Sequence, residues 1–209
     1  MITSIVGVEI EYCKGISKGC RNAISTYPEI ISNLIDISKN STWHQRFKIE
    51  ENLPRKHQIL KIGISACPNA CAKSQIKDLG FILRSEIGYD ESLCINCLEC
   101  ENACKENAIS VTEKIVIQKH KCLGCLDCVR ACTTGSIFST QAFFEVLVGG
   151  RLGRHPKFAT PILKIEPLKI YDFYRYFLGL FDKYPDIYNA KKLIDNLSYE
   201  EIEHGYIKK

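Results

Sequence analysis

Cys94-Ile-Asn-Cys97-Leu-Glu-Cys100-Glu-Asn-Ala-Cys104 and Cys122-Leu-Gly-Cys125-Leu-Asp-Cys128-Val-Arg-Ala-Cys132 hold eight of the twelve cysteines in this chain of 209 residues. Short gaps of this kind let three thiolates of a run converge on three irons of one iron–sulfur cube. The backbone amides between them turn inward to donate to sulfur, which helps to set the potential. A zinc site takes only four ligands and leaves the third paired step of each run without a role, so the spacing argues against zinc.

Two such runs are the pattern of a bacterial ferredoxin with two [4Fe–4S] clusters, in which the fourth cysteine of each run ligates the other cluster. One cluster is therefore expected on Cys94, Cys97, Cys100 and Cys132, and the other on Cys122, Cys125, Cys128 and Cys104. Lys105 and Thr133 stand where proline commonly follows the fourth cysteine. Cys94 and Cys122 are equivalent positions of an internal repeat, flanked by the matching Ala108-Ile109-Ser110 and Ser136-Ile137-Phe138. A short hairpin is expected between the halves, from Ile109–Thr112 to Ile115–Ile117. Residues 90–138 then read as one module.

The flanking sequence has a different texture. Ile5–Ile10, Ile59–Ile64, Leu79–Arg84 and Phe143–Val148 read as strands, the last ended by Gly149-Gly150. Pro28 opens a helix that carries Ile30, Ile31, Leu34 and Ile35 on one face, and Leu168–Tyr184 reads as a helix with a broad aromatic and aliphatic surface. Ser198-Tyr199-Glu200-Glu201 is a capping-box start for a last helix. Trp43 is expected in the core or at a docking surface, and His44, His57, His120 and His204 as surface or packing residues. Strands on both sides of the cysteine-rich module predict an α+β domain of residues 1–89 plus 139–209, interrupted by an inserted ferredoxin-like domain of residues 90–138.

Composition narrows the classes further. The net charge of +4 is mild, and neither a basic helix face nor interleaved aromatics argues for nucleic acid. No apolar run is long enough for a membrane span. The start Met1-Ile2-Thr3-Ser4 lacks the basic and apolar regions of a secretory leader, and the cysteines are paired at ligand spacing rather than scattered for bridges. A reducing cytoplasm is the expected compartment, with an electron-donor protein or a partner redox subunit as the expected contact and a homo- or hetero-oligomer left open.

Four cysteines remain, as Cys13 and Cys20 around Lys14–Gly19 and as Cys67-Pro68-Asn69-Ala70-Cys71. They suffice for a third cubane, while a structural zinc or unmetallated thiols stay open as alternatives. Here Ser65-Ala66-Cys67-Pro68-Asn69-Ala70-Cys71 followed by Asp78-Leu79-Gly80-Phe81-Ile82, together with Val148-Gly149-Gly150-Arg151-Leu152-Gly153-Arg154-His155-Pro156, resembles the cluster-binding half of sulfite and nitrite reductases. The likeness is greatest to the anaerobic and dissimilatory sulfite reductase branches, in which a two-cluster ferredoxin module is inserted at this point.

The resemblance implies a cubane on Cys13, Cys20, Cys67 and Cys71, coupled to a siroheme through a thiolate that by position is Cys71. It further implies reduction of a small oxyanion, sulfite or nitrite. Arg151, Arg154, His155 and Lys157 suit the siroheme carboxylates, and Arg21 and Asn22 could do likewise; a solvated turn is the competing reading of Arg151 and Arg154. Reductases of this kind are built from two related halves. The resemblance to one half implies that another subunit, a second copy or an alternative pocket completes any active site, and otherwise that the chain is a three-cluster electron carrier without siroheme. No general acid can be assigned from the sequence.

Overall fold

The computed structural model describes residues 1–49 and 53–208. A six-stranded mixed sheet runs in the order β1 (Ile2–Ile5), β2 (Val8–Tyr12), β3 (Leu60–Ser65), β4 (Leu79–Tyr89), β7 (Ile137–Val148), β8 (Thr160–Ile165). β2, β3 and β4 are parallel neighbours, and the pairs toward either edge are antiparallel. Between β4 and β7 lies a separate two-stranded ribbon of β5 (Ile109–Val111) and β6 (Ile115–Ile117), the hairpin expected from the sequence. The overall class is a mixed α/β fold.

Period-two alternation sorts the side chains between the faces of the sheet. Leu60, Ile62 and Ile64 of β3, Leu79, Phe81 and Leu83 of β4, and Phe144, Val146 and Val148 of β7 all enter one large core. Over that face lie α2 (Glu29–Lys39), α3 (Thr42–Ile49), α6 (Ile170–Leu180), α7 (Ala190–Asp195) and α8 (Tyr199–Ile207). Trp43 is fully buried there, its indole N–H donating to the Gly7 carbonyl oxygen at 2.9 Å. His44 is buried as a packing residue, with Nδ1 2.8 Å from the Val6 carbonyl oxygen.

The opposite face is covered by the turn that follows β3. A Cβ on Gly63 would lie 2.8 Å from the Ser74 Cα, and one on Gly80 would meet the Ser74 carbonyl. Both strands are thus open to a backbone approach that a side chain would block. Ala70, Ile82, Leu147 and Ala159 form a small second cluster on this side. Lys77 Nζ pairs with Glu9 and Glu11 of β2, which ties the far end of the turn to the sheet.

Some expectations need correction. The apolar run Ile5–Ile10 is not one strand: the chain reverses at Val6-Gly7, with Gly7 at φ +80°, and β1 folds back on β2. β4 and β7 are longer than Leu79–Arg84 and Phe143–Val148, continuing as a paired ribbon as far as Tyr89 opposite Ile137, with a bulge at Glu86/Ile87. The helix expected over Leu168–Tyr184 is α-helical only from Ile170 to Leu180, with single 3₁₀ turns at Pro167–Lys169 and Phe181–Lys183. The Ser198 cap forms as expected, its hydroxyl accepting from the Glu201 N–H at 3.0 Å.

Candidate metal centres

Parallel pairing brings the first two cysteine loops together. Tyr12 of β2 stands opposite Ile64 of β3, so Cys13 and Cys67 leave the sheet at the same end. The Cys13 N–H donates to the Ile64 carbonyl oxygen at 3.1 Å, and the Ala66 N–H donates to Cys13 Sγ at 3.2 Å. After the single turn of α1 (Lys14–Ser17), the chain passes Cys20 and returns, with the Ile24 N–H bonded to the Ala66 carbonyl oxygen at 3.0 Å. Gly15 packs against Ala66, where a Cβ would sit 2.8 Å from that of Ala66.

Burial raises the Cys67 thiol pKa, and the nearby Cys13, Cys20 and Cys71 thiols push it the same way, while the Asn69 N–H favours the thiolate. Four sulfurs close enough to repel as thiolates, with amides aimed at them, are a donor set suited to a cationic centre. All twelve cysteines are free of disulfides.

The two runs of the inserted segment form matching turns. Asn96 and Leu98 take φ +53° and +64°, and their equivalents Gly124 and Leu126 take +66° and +67°. Each turn leads into one short helix, α4 (Glu99–Ala103) or α5 (Asp127–Ala131), and the two helices pack together. Cys94, Cys97, Cys100 and Cys132 line one small cavity of about 20 Å³. Cys104, Cys122, Cys125 and Cys128 line another, of about 110 Å³. In each cavity the fourth cysteine of one run lies beside the first three of the other.

N–H donors surround these sulfurs. Cys104 Sγ accepts from the Ala108 N–H at 3.2 Å. Burial raises the Cys132 thiol, but the N–H groups of Ile137, Thr134 and Ser136 and the Thr134 hydroxyl outweigh it and lower the pKa. Cys128 is pushed up to about 12 by burial first and then by the Cys125 and Cys122 thiols. A bound metal would relieve that crowding. Among the described residues no three His, Cys, Asp or Glu side chains converge as around a single metal ion. A cubane binds each thiolate through a different iron and so does not ask its four sulfurs to converge on one point.

The larger cavity also connects two sites. Its wall includes Asn22, Cys67, Pro68 and Asn69 beside Cys104, Cys122, Cys125 and Cys128. The connection is fixed by the sheet: the Ser85 N–H donates to the Gly124 carbonyl oxygen at 3.0 Å, and Arg84 to that of Leu123 at 2.8 Å. Sequence reading did not find Arg84 or Ser85, because nothing in a strand of alternating residues marks which N–H meets a distant loop.

The remaining expected site residues divide. Gly149–Ala159 form a hairpin, closed by reciprocal backbone bonds of Arg151 and Lys157, and packed on the turn after Cys71 through the Ala159 N–H and the Gln75 carbonyl oxygen at 2.7 Å. Arg151 reaches Asp195 at 2.8 Å, and Lys157 Nζ donates to the Tyr199 hydroxyl at 2.8 Å. Arg154, His155 and Arg21 are exposed and, among the described residues, make no ion pair or side-chain hydrogen bond. Asn22 faces the shared cavity, and Cys71 is exposed. Among the described residues no helix is long and apolar enough to cross a membrane.

Comparison with known proteins accords with this geometry. The family model described as nitrite and sulphite reductase 4Fe-4S domain matches residues 20–204. An uncharacterized protein of Methanocaldococcus jannaschii is 36% identical over 102 residues, covering 49% of this chain and 34% of that protein. A subunit of the anaerobic sulfite reductase of Salmonella typhimurium is 40% identical over 50 residues, 24% of this chain and 15% of that subunit. The matched stretch is thus about a third or less of the length of these relatives. The crystal structure of dissimilatory sulfite reductase I superposes with a TM-score of 0.60 at 13% identity, over 98% of this chain and 53% of that one.

Proposed function

We propose that this chain, which belongs to the nitrite and sulphite reductase 4Fe-4S domain family, carries three [4Fe–4S] clusters in line and conducts electrons toward reduction of a small oxyanion. In this reading residues 90–138 are an inserted two-cluster ferredoxin domain, and residues 1–89 plus 139–209 are the reductase-like domain. Cys94, Cys97, Cys100 and Cys132 hold one cluster, Cys104, Cys122, Cys125 and Cys128 the next, and Cys13, Cys20, Cys67 and Cys71 the third. The carrying observation is the shared cavity that Cys67 lines together with Cys104, Cys122, Cys125 and Cys128. Three separately ligated centres would have no reason to adjoin if their only task were to staple the fold.

The donor set fits a cubane: free thiols, inward N–H groups and a compact apolar surround. The Asn69 and Ala66 amides stabilise charge on Cys67 and Cys13, and the clamp of Lys77 on Glu11 holds the loop that bears them. A siroheme coupled through Cys71 would supply the iron that binds sulfite or nitrite and takes it through a multi-electron reduction. The exposed Cys71 and the exposed, uncommitted Arg21, Arg154 and His155 suit such a group and its carboxylates. Arg151 and Lys157 are already engaged by Asp195 and Tyr199. That favours a second reading, in which the chain lacks siroheme and hands electrons to a partner subunit. Free thiols of this kind call for a reducing compartment such as the cytoplasm.

Anaerobic purification from a siroheme-making host, with absorption spectroscopy and iron analysis, tests both. About twelve irons per chain support three cubanes, and about thirteen with siroheme bands support the reductase. Fewer than about eight irons would sink the proposal. Twelve without siroheme bands would leave the carrier.

A further inference from the structure

The internal repeat supplies its own control, because the two cysteine loops share a backbone and differ in what covers them. In the second run Gly124 is buried, and Leu123 and Gly124 are bonded to Arg84 and Ser85 of β4. In the first run the equivalent loop has no such cover among the described residues: Ile95 is 65% exposed against 37% for Leu123, and Leu93 and Leu98 are 48% and 45% exposed. Cys97 is exposed too.

Charge diverges in the same direction. Residues 90–104 carry Asp90, Glu91, Glu99 and Glu101 and no Lys or Arg, while the equivalent 118–132 carry Lys119, Lys121 and Arg130 against Asp127. Glu91 reaches Lys114 at 3.9 Å, and Glu101 caps the Val111 N–H at 2.8 Å; Glu99 is exposed. Exposed apolar residues with acids beside them in the chain, next to Cys97 at the surface, make a short electron path with a sign.

We propose that Leu93, Ile95 and Leu98, together with the acids Glu91, Glu99 and Glu101 of the same loop and helix, form the docking surface for a one-electron carrier protein with a basic face. This rests on the proposed reading of the cysteines as cluster ligands, and adds to it the point of entry and the charge of the partner. The carrier is oxidised by one electron as the group on Cys94, Cys97, Cys100 and Cys132 is reduced by one, with no bond made or broken. The second run, turned toward Cys67, is the exit. Acid around an apolar core steers a basic partner and speeds its encounter at low salt.

The test uses the full chain, reduced with dithionite and freed of excess, with ferricytochrome c as a basic probe and oxidised flavodoxin as an acidic one. Stopped-flow rates are taken across ionic strength. Expected are faster reaction with cytochrome c, slowing with salt, and a loss of about tenfold at low salt in E91K/E99K together with loss of the salt dependence. I95S/L98S should slow it severalfold at every salt, and K119E/K121E should not slow it. Equal rates in wild type, E91K/E99K and I95S/L98S overturn the proposal, as does an equal loss in K119E/K121E. A wild-type dimer that I95S/L98S converts to monomer in sedimentation overturns it also, since the face would then belong to a second copy. Iron content and low-temperature EPR of each reduced protein separate the two levels: wild type without clusters sinks the ligand reading and this inference together, whereas intact clusters with unmoved rates sink this inference alone.

Discussion

Ser85 and Gly124 touch backbone to backbone: the Ser85 N–H donates to the Gly124 carbonyl oxygen at 3.0 Å, and a Cβ on Gly124 would collide with the Ser85 carbonyl. The contact seats the second cysteine loop on the sheet that carries Cys67.

Gly124→Ala should therefore lower stability by about 1–3 kcal/mol, since the side chain meets strand backbone and φ is +66°. Asn96→Gly at the equivalent exposed position should change it by less than about 0.5 kcal/mol. Denaturant midpoints check both. If three clusters are present, Gly124→Ala should also weaken magnetic coupling between the second-run centre and its neighbour, read as sharpening of the reduced EPR spectrum.

Exchange of the fourth cysteine makes a distinctive forecast. Cys104→Ala should disturb the centre on Cys122, Cys125 and Cys128, and Cys132→Ala the centre on Cys94, Cys97 and Cys100, each with loss of up to about four irons. Cys71→Ser should remove the third centre and any siroheme bands while leaving about eight irons. Mössbauer spectra of the three variants, compared with wild type, check the assignment.

Asp78 supplies a pH dependence. Burial pushes its carboxyl up to about 6 from 3.8, against the Lys61 N–H bond and the charges of Lys191, Lys61 and Lys77. The folded pKa lies above the unfolded one, so its contribution to stability is fully present below about 3.8 and lost as pH rises through about 6. The swing is on the order of 3 kcal/mol. Asp78→Asn keeps an acceptor for the Lys61 N–H and should flatten this part of the stability profile, measured by denaturant titration from pH 4 to 7 (about the window of the shift).

Trp43 anchors the helical layer, with Phe47 and Phe181 at ring-centroid distances of 5.1 Å each. Trp43→Ala should cost about 3–5 kcal/mol. Denaturation followed by circular dichroism, with an unchanged m-value, checks it.

The cysteine runs could be read as a repeat because their spacing is a local property, readable without knowing where the chain goes. The same holds for the Ser198 cap and for β3, whose alternation is unbroken. The Val6-Gly7 reversal was hidden by a continuous apolar run, since one glycine at positive φ turns what reads as a single strand into two. β8 was missed because Pro161 speaks against a strand; at the sheet edge, beside a register shift opposite Val146/Leu147, a proline is tolerated. α3 carries His44, Gln45, Arg46 and Lys48 among its few apolar residues and shows no clean stripe. The engagement of Arg151 by Asp195 and of Lys157 by Tyr199 depends on α7 and α8 returning to the hairpin, a long-range event that no motif records.

The β4–β7 ladder runs from the core, past the bulge at Glu86/Ile87, out to Tyr89 opposite Ile137. The intervening segment thus leaves and re-enters through adjacent rungs, as the loop of an oversized hairpin that leans back on β4 at Arg84 and Ser85. Such an attachment is portable: ancestral chains could have gained or shed the whole cassette in one event without re-threading a strand, and a protein engineer could exchange it for a tight reverse turn and keep the parent architecture.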